Sequence, residues 1–172
     1  MPLDLKQLIR DVPDFPKPGV IFKDIMPLMG DAEAFREVID RLVEWAEPRQ
    51  PDLVLGAEAR GYITGGALAY RMGCGFVPAR KPGKLPWHTI GVKYALEYGF
   101  DQLEVHADAI TAGQRVLVHD DVLATGGTAK ATVELVEQLG GLVVGVPFII
   151  ELTFLHGREQ LSGQDVFSLI EY

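Results

Sequence analysis

Apolar positions along this chain follow two rhythms, short unbroken runs and helical stripes. "DLVLGA" (52–57), "GFVPARK" (75–81), "RVLVHD" (115–120), "LVVGVPFIIE" (142–151) and "DVFSLIEY" (165–172) have the length and content of buried strands. Between them "YITGGALAYRM", stopped by Gly73, and "TAKATVELVEQL" read as helices. "DAEAFREVIDRLVEWAEP" is strongly amphipathic. Asp31 can cap it, Phe35, Val38, Ile39, Leu42 and Ala46 share one stripe, and Pro48 and Pro51 end it. Residues 4–12 read as a short helix, "PDFPKPGVIFKDI" as a loop stiffened by three prolines, and 155–161 as another short helix.

Strands alternating with helices at this spacing predict an α/β fold, a central parallel sheet flanked by helices on both faces. Ligands of such sheets bind where strands end and helices begin. One segment departs from that rhythm. Residues 82–110 open with Pro, Gly and Lys, then alternate in "VKYALEY" and "QLEVHAD". This predicts a two-stranded ribbon, a mobile flap at about 82–108, inserted into a single domain over 1–172.

Composition narrows the classes. At 172 residues with 48% hydrophobic and 23% charged, the chain can bury one core, so disorder is excluded. A net charge of −8 argues against a nucleic-acid binder acting through its overall field. The single cysteine, Cys74, fits a reducing cytosol. The N-terminus lacks the pattern of a signal peptide, and no apolar stretch is long enough to span a bilayer. The expectation is a cytoplasmic protein without a membrane or nucleic-acid partner.

"VLVHDDVLATGGTAK" (116–130) carries the chemistry. Ala124, Thr125, Gly126, Gly127 and Thr128 have little bulk, so an anion can approach the backbone N–H groups of the helix that follows. Neither the Walker A spacing nor a dinucleotide fingerprint is present. Asp120 and Asp121 would repel a bare phosphate, so they point to a ligand that also carries hydroxyls, a sugar phosphate. Direct ligation of Mg²⁺ by these carboxylates is the open alternative. His119 reads as structural, since no second histidine stands at ligand spacing.

"VLVHDDVLATGGT" resembles the signature of the type I phosphoribosyltransferases, which bind 5-phosphoribosyl-1-pyrophosphate (PRPP). "PDFPKPGVIFKDI", "ARKPGKLP", "YALEYG" and "IELTFLHGRE" resemble, in order, segments of the adenine-specific branch. The resemblance implies transfer of the phosphoribosyl group to adenine, giving AMP and pyrophosphate, with Mg²⁺ carried by PRPP and a homodimeric enzyme. It assigns Asp120 and Asp121 to the ribose and Ala124–Thr128 to the 5-phosphate. Glu58, Ala59 and Arg60 in "GAEARG", with Arg80, Lys81 and Lys84, go to the pyrophosphate. The peptide in that loop is often cis in the family, and Asp is common where Glu58 stands. An N-terminal hood at about 1–30 would take the base, with Phe22 stacking and the backbone of Ile21 and Lys23 reading its edge. Lys23 stands where Arg is frequent. Glu97, in the flap, is implied as the general acid/base, Arg60 as the cationic catalytic element, and Tyr98 as a flap residue that closes over the site. A transferase for hypoxanthine, guanine or xanthine is the nearest rival. A PRPP-sensing regulator would need a basic surface that this chain lacks.

Overall fold

Proline, glycine and aspartate shape the first forty residues of a computed structural model that describes residues 3–96 and 99–172. The chain divides into two units, one up to Arg41 and one from Leu42 onward. The first opens with a 3-10 turn, Leu5–Leu8, capped by the Asp4 carboxylate. Strands β1 (Arg10–Pro13) and β2 (Ile21–Asp24) then pair antiparallel, Val12 facing Phe22. The helix expected over 4–12 is therefore one turn and a strand, and the expected proline loop supplies β2. Local apolar spacing suited a helix, but pairing across the hairpin overrides it. The intervening loop closes on itself: Asp14 takes a positive φ, and its carboxylate accepts the Gly19 N–H at 2.8 Å. Helices α1 (Met26–Gly30) and α2 (Ala32–Ala46) follow. Asp31 caps α2 as expected, accepting the N–H groups of Glu33 and Ala34.

In the second unit five strands form one parallel sheet: β3 (Leu53–Ala57), β4 (Gly75–Ala79), β7 (Arg115–Leu123), β8 (Leu142–Glu151) and β9 (Val166–Glu171). Their spatial order is β4-β3-β7-β8-β9. Val54, Leu55, Val116, Leu117, Val118, Val146, Phe148, Ile149 and Ile150 are buried, as a sheet covered on both faces requires. Helices α3 (Gly61–Met72) and α4 (Gly127–Gln138) make the crossovers, and α3 stops at Gly73 with φ +68°.

The ribbon expected at 82–108 is present as β5 (Thr89–Ala95) and β6 (Phe100–His106), antiparallel from Thr89↔His106 to Ala95↔Phe100. Val92, Leu103 and Val105 turn into the core, which is what the alternation required. Arg80 and Glu104 exchange backbone hydrogen bonds, tying the ribbon to the chain just past β4. The short helix expected over 155–161 is instead two 3-10 turns, Thr153–Leu155 and Gly157–Leu161, broken at His156 with φ 55°.

Candidate active site

Chain order reverses between β3 and β7. β4 leaves on one side of β3, while β8 and β9 build out from β7, so the loops at the ends of β3 and β7 part and leave a crevice. The β3 loop is Glu58-Ala59-Arg60, with a cis peptide between Glu58 and Ala59. The β7 loop runs from Ala124 into Gly126, whose φ of +89° favours glycine. No side chain caps α3 or α4. Two helix N-termini, each the positive end of a dipole, thus flank one crevice, and in α3 the Tyr62 and Ile63 N–H groups turn onto the Ala59 and Arg60 carbonyls. A pocket of about 70 Å³ lies against the second, lined by Asp120, Val122 and Leu123 through Ala129.

The acid pair does not end its strand as the sequence pattern indicated. β7 runs on to Leu123, so Asp120 and Asp121 sit within it and alternate in direction. Asp120 lies under the start of α3, where a Cβ on Gly61 would meet its Oδ1 at 3.0 Å and the His119 carbonyl at 3.2 Å. It also accepts the Asp121 N–H at 2.8 Å. Desolvation in that packing, then the neighbouring Asp121 charge, push its pKa well up. Asp121 is buried and accepts from Arg60 Nε at 2.5 Å.

The remaining candidate cations are also held by carboxylates. Glu58 Oε1 accepts from Lys84 Nζ at 2.8 Å and Arg80 Nη2 at 3.4 Å, and its Oε2 accepts the Lys81 N–H at 2.7 Å. Desolvation works to raise the Glu58 pKa. The Lys84 and Lys81 hydrogen bonds, the Lys84 charge and Arg80 outweigh it and hold the carboxyl below its usual range. Lys81 Nζ pairs with Asp101 of β6. For this pair too, burial is opposed and overcome by mutual hydrogen bonding, which lowers Asp101 and raises Lys81. The Tyr94 hydroxyl of β5 joins the cluster, 3.3 Å from Asp101 Oδ2 and 3.4 Å from both Lys81 Nζ and Thr128 Oγ1. No local sequence signal marks Tyr94 and Asp101 as site residues. Their partners stand too far along the chain for any local signal.

His119 is structural. It is fully buried, its Nδ1 donates to the Pro147 carbonyl at 2.8 Å, and its Nε2 accepts from the Thr64 hydroxyl at 2.7 Å. Burial lowers its pKa to about 4, against the smaller opposing pull of the Pro147 carbonyl and the Asp121 charge. The first unit carries Ile21, exposed, Phe22, edge-on to Phe15 at 5.2 Å, and Lys23, whose Nζ lies 2.6 Å from Asp11. Glu97 and Tyr98 lie outside the described residues.

Two uncapped helix N-termini, an acid pair and a cation cluster at a sheet's switch point define an α/β protein built for a phosphorylated, hydroxyl-bearing small molecule. The phosphoribosyl transferase domain model matches residues 30–162. Adenine phosphoribosyltransferase from Thermotoga neapolitana is 56% identical over 170 residues, covering 99% of this chain and 100% of its own length. The crystal structure of that enzyme from Thermoanaerobacter pseudethanolicus is 54% identical and superposes with a TM-score of 0.96, with 98% of each chain covered. The enzyme from Saccharomyces cerevisiae, solved with D-2,5-dideoxy-2,5-imino-altritol 1,6-bisphosphate and adenine, has 40% identity and a TM-score of 0.93 over 96% of each chain. The chain belongs to the phosphoribosyltransferase family, in its adenine-specific branch. Among the described residues no helix is long and apolar enough to cross a membrane.

Proposed function

We propose that this protein transfers the 5-phosphoribosyl group of PRPP to adenine, releasing AMP and pyrophosphate, and that the crevice between the β3 and β7 loops is where it does so. The observation that carries the proposal is the juxtaposition at that crevice, a small-residue loop at an uncapped helix N-terminus beside the Asp121–Arg60 pair.

The amides of Ala124–Thr128 take the 5-phosphate, as a helix N-terminus takes an anion. Asp120 and Asp121 accept hydrogen bonds from the ribose hydroxyls, and Arg60, drawn to Asp121, stands by the charge that develops as the diphosphate departs. Arg80, Lys81, Lys84 and the backbone amides of the Glu58–Ala59 loop hold the leaving group. A Mg²⁺ ion carried by PRPP would keep most of its waters and be held chiefly by diphosphate oxygens, with at most one or two carboxylates. The oxygen-only donors of Asp120 and Asp121 suit such a hard cation. When bound it neutralises charge on the leaving group. Phe22 stacks on adenine while the backbone of Ile21 and Lys23 meets its edge, a pattern that distinguishes a 6-amino from a 6-oxo purine by donor and acceptor placement. Glu97 exchanges the proton that adenine must lose as its ring nitrogen attacks. Tyr98 closes over the reacting groups. The enzyme works in the cytoplasm as a homodimer.

The test is purified protein with Mg²⁺, PRPP and adenine, hypoxanthine, guanine or xanthine in parallel, scored by nucleotide formed. AMP from adenine alone is expected. Product from a 6-oxopurine overturns the base assignment, and no product from any base overturns the transfer. Glu97→Gln then depresses kcat with sugar binding intact. An unchanged kcat assigns the proton to another group.

A further inference from the structure

The cations assigned to the diphosphate already have an anion. Glu58 leaves the end of β3, its backbone N–H held by the Ala79 carbonyl at 3.0 Å, and its side chain is only 11% exposed. One carboxylate thus gathers the Lys84 ammonium, the Arg80 guanidinium and the Lys81 N–H, three donors from a segment beyond the neighbouring strand. That is the donor set a phosphoryl group would use.

We infer that Glu58 is an internal competitor for the pyrophosphate subsite: its carboxylate occupies the donors that the departing diphosphate needs, and so limits how tightly that product is held. The inference rests on the reading that Arg80 and Lys84 face the diphosphate. Lys84 and Arg80 each keep further N–H groups, so a diphosphate oxygen competes with the Glu58 carboxylate for the engaged ones and for the charge of both cations, and binding proceeds with partial exchange of partners. The depressed Glu58 pKa is consistent with this, since the carboxylate stays ionised and bound to its donors at neutral pH. The competing account is that Glu58 merely staples residues 80–84 to β3. The two accounts predict opposite signs. Removing a competitor tightens pyrophosphate binding, whereas removing a staple loosens it.

The experiment is calorimetric titration of magnesium pyrophosphate, and separately of AMP, into the wild type, Glu58→Gln and Glu58→Asp. Glu58→Gln should bind pyrophosphate about threefold to tenfold more tightly, as expected for releasing a partly exposed ion pair with hydrogen bonds. Glu58→Asp, one methylene shorter, should fall between. AMP, which lacks a diphosphate, should bind equally to all three. Equal or weaker pyrophosphate binding by Glu58→Gln overturns the inference. If that variant does not fold, Glu58→Asp decides by the same criterion. A wild type that binds AMP but not pyrophosphate overturns the inference and leaves the transfer standing, whereas binding of neither takes down both.

Discussion

Gly126 offers the sharpest test of how the phosphate loop is built. Its φ is +89°, and a Cβ there would lie 2.9 Å from Gln160 Cβ and closer still to the Gly157 carbonyl oxygen. Gly126→Ala therefore meets two penalties. The left-handed backbone costs an L-residue about 1–2 kcal/mol. The clash is with backbone, so relief requires the loop and the Gly157–Leu161 turn to separate by roughly 1 Å, a displacement that in a positioned site can cost about 100-fold. Folding stability should fall by about 2–3 kcal/mol in chemical denaturation, the backbone term plus modest strain. Affinity for ribose 5-phosphate or AMP should fall by one to two orders of magnitude in calorimetry, since the amides no longer converge. A Gly126→Ala protein that binds these ligands like the wild type would refute the assignment of the 5-phosphate to this loop. Lost stability with intact affinity would refute it equally and leave Gly126 a packing residue only.

Other expectations follow from particular contacts. Asp121→Asn should raise KM for PRPP and lower turnover by roughly tenfold or more, since it weakens both the Arg60 pair and a ribose contact, and unchanged kinetics would remove the ribose role. Thr64→Val leaves His119 Nε2 buried without a donor and should cost about 1–3 kcal/mol of stability by urea denaturation, with substrate KM unchanged. His119 has a folded pKa of about 4 against an ordinary imidazole value of 6.5, so the unfolded chain binds the extra proton. Its contribution is complete above pH 6.5 and is lost as pH falls toward 4, up to roughly 3 kcal/mol, and a His119→Gln variant should show a shallower decline between pH 7 and 5. Glu151 is buried and holds Arg158 through both carboxylate oxygens and the Ser168 hydroxyl at 2.6 Å. Glu151→Ala should destabilise by about 2 kcal/mol, discounted for the part-exposed arginine, and a Tm unchanged within a degree would discard that pairing.

The parallel sheet was legible because its strands are unbroken apolar runs separated by helical stripes, a pattern with few other solutions. The bounds of β8 match the expected run residue for residue. β7 did not, because Asp120 and Asp121 look like an end when only their own burial cost is counted. Val122 pairs with Ile150 and Leu123 with Glu151, and that pairing carries the strand past the acids. The β1–β2 hairpin was hidden for a related reason: Val12 and Phe22 share a rung of the ladder across a proline-rich loop that advertises no strand. Phosphate-loop chemistry was readable since Ala124–Thr128 are contiguous. The ion pairs were not, because Glu58 reaches cations more than twenty positions away and Lys81 finds Asp101 on the far strand of the ribbon.

The pairing of Arg60, Arg80, Lys81 and Lys84 with carboxylates has a kinetic consequence. These four cations face three carboxylates, Asp121, Glu58 and Asp101, at contact range, so little positive potential is left to reach beyond a Debye length, and the whole chain carries −8. An incoming polyanion therefore travels against the protein's far field and is captured only at close quarters. Capture should quicken as salt rises from low ionic strength, the reverse of an enzyme that steers its anionic substrate from a distance.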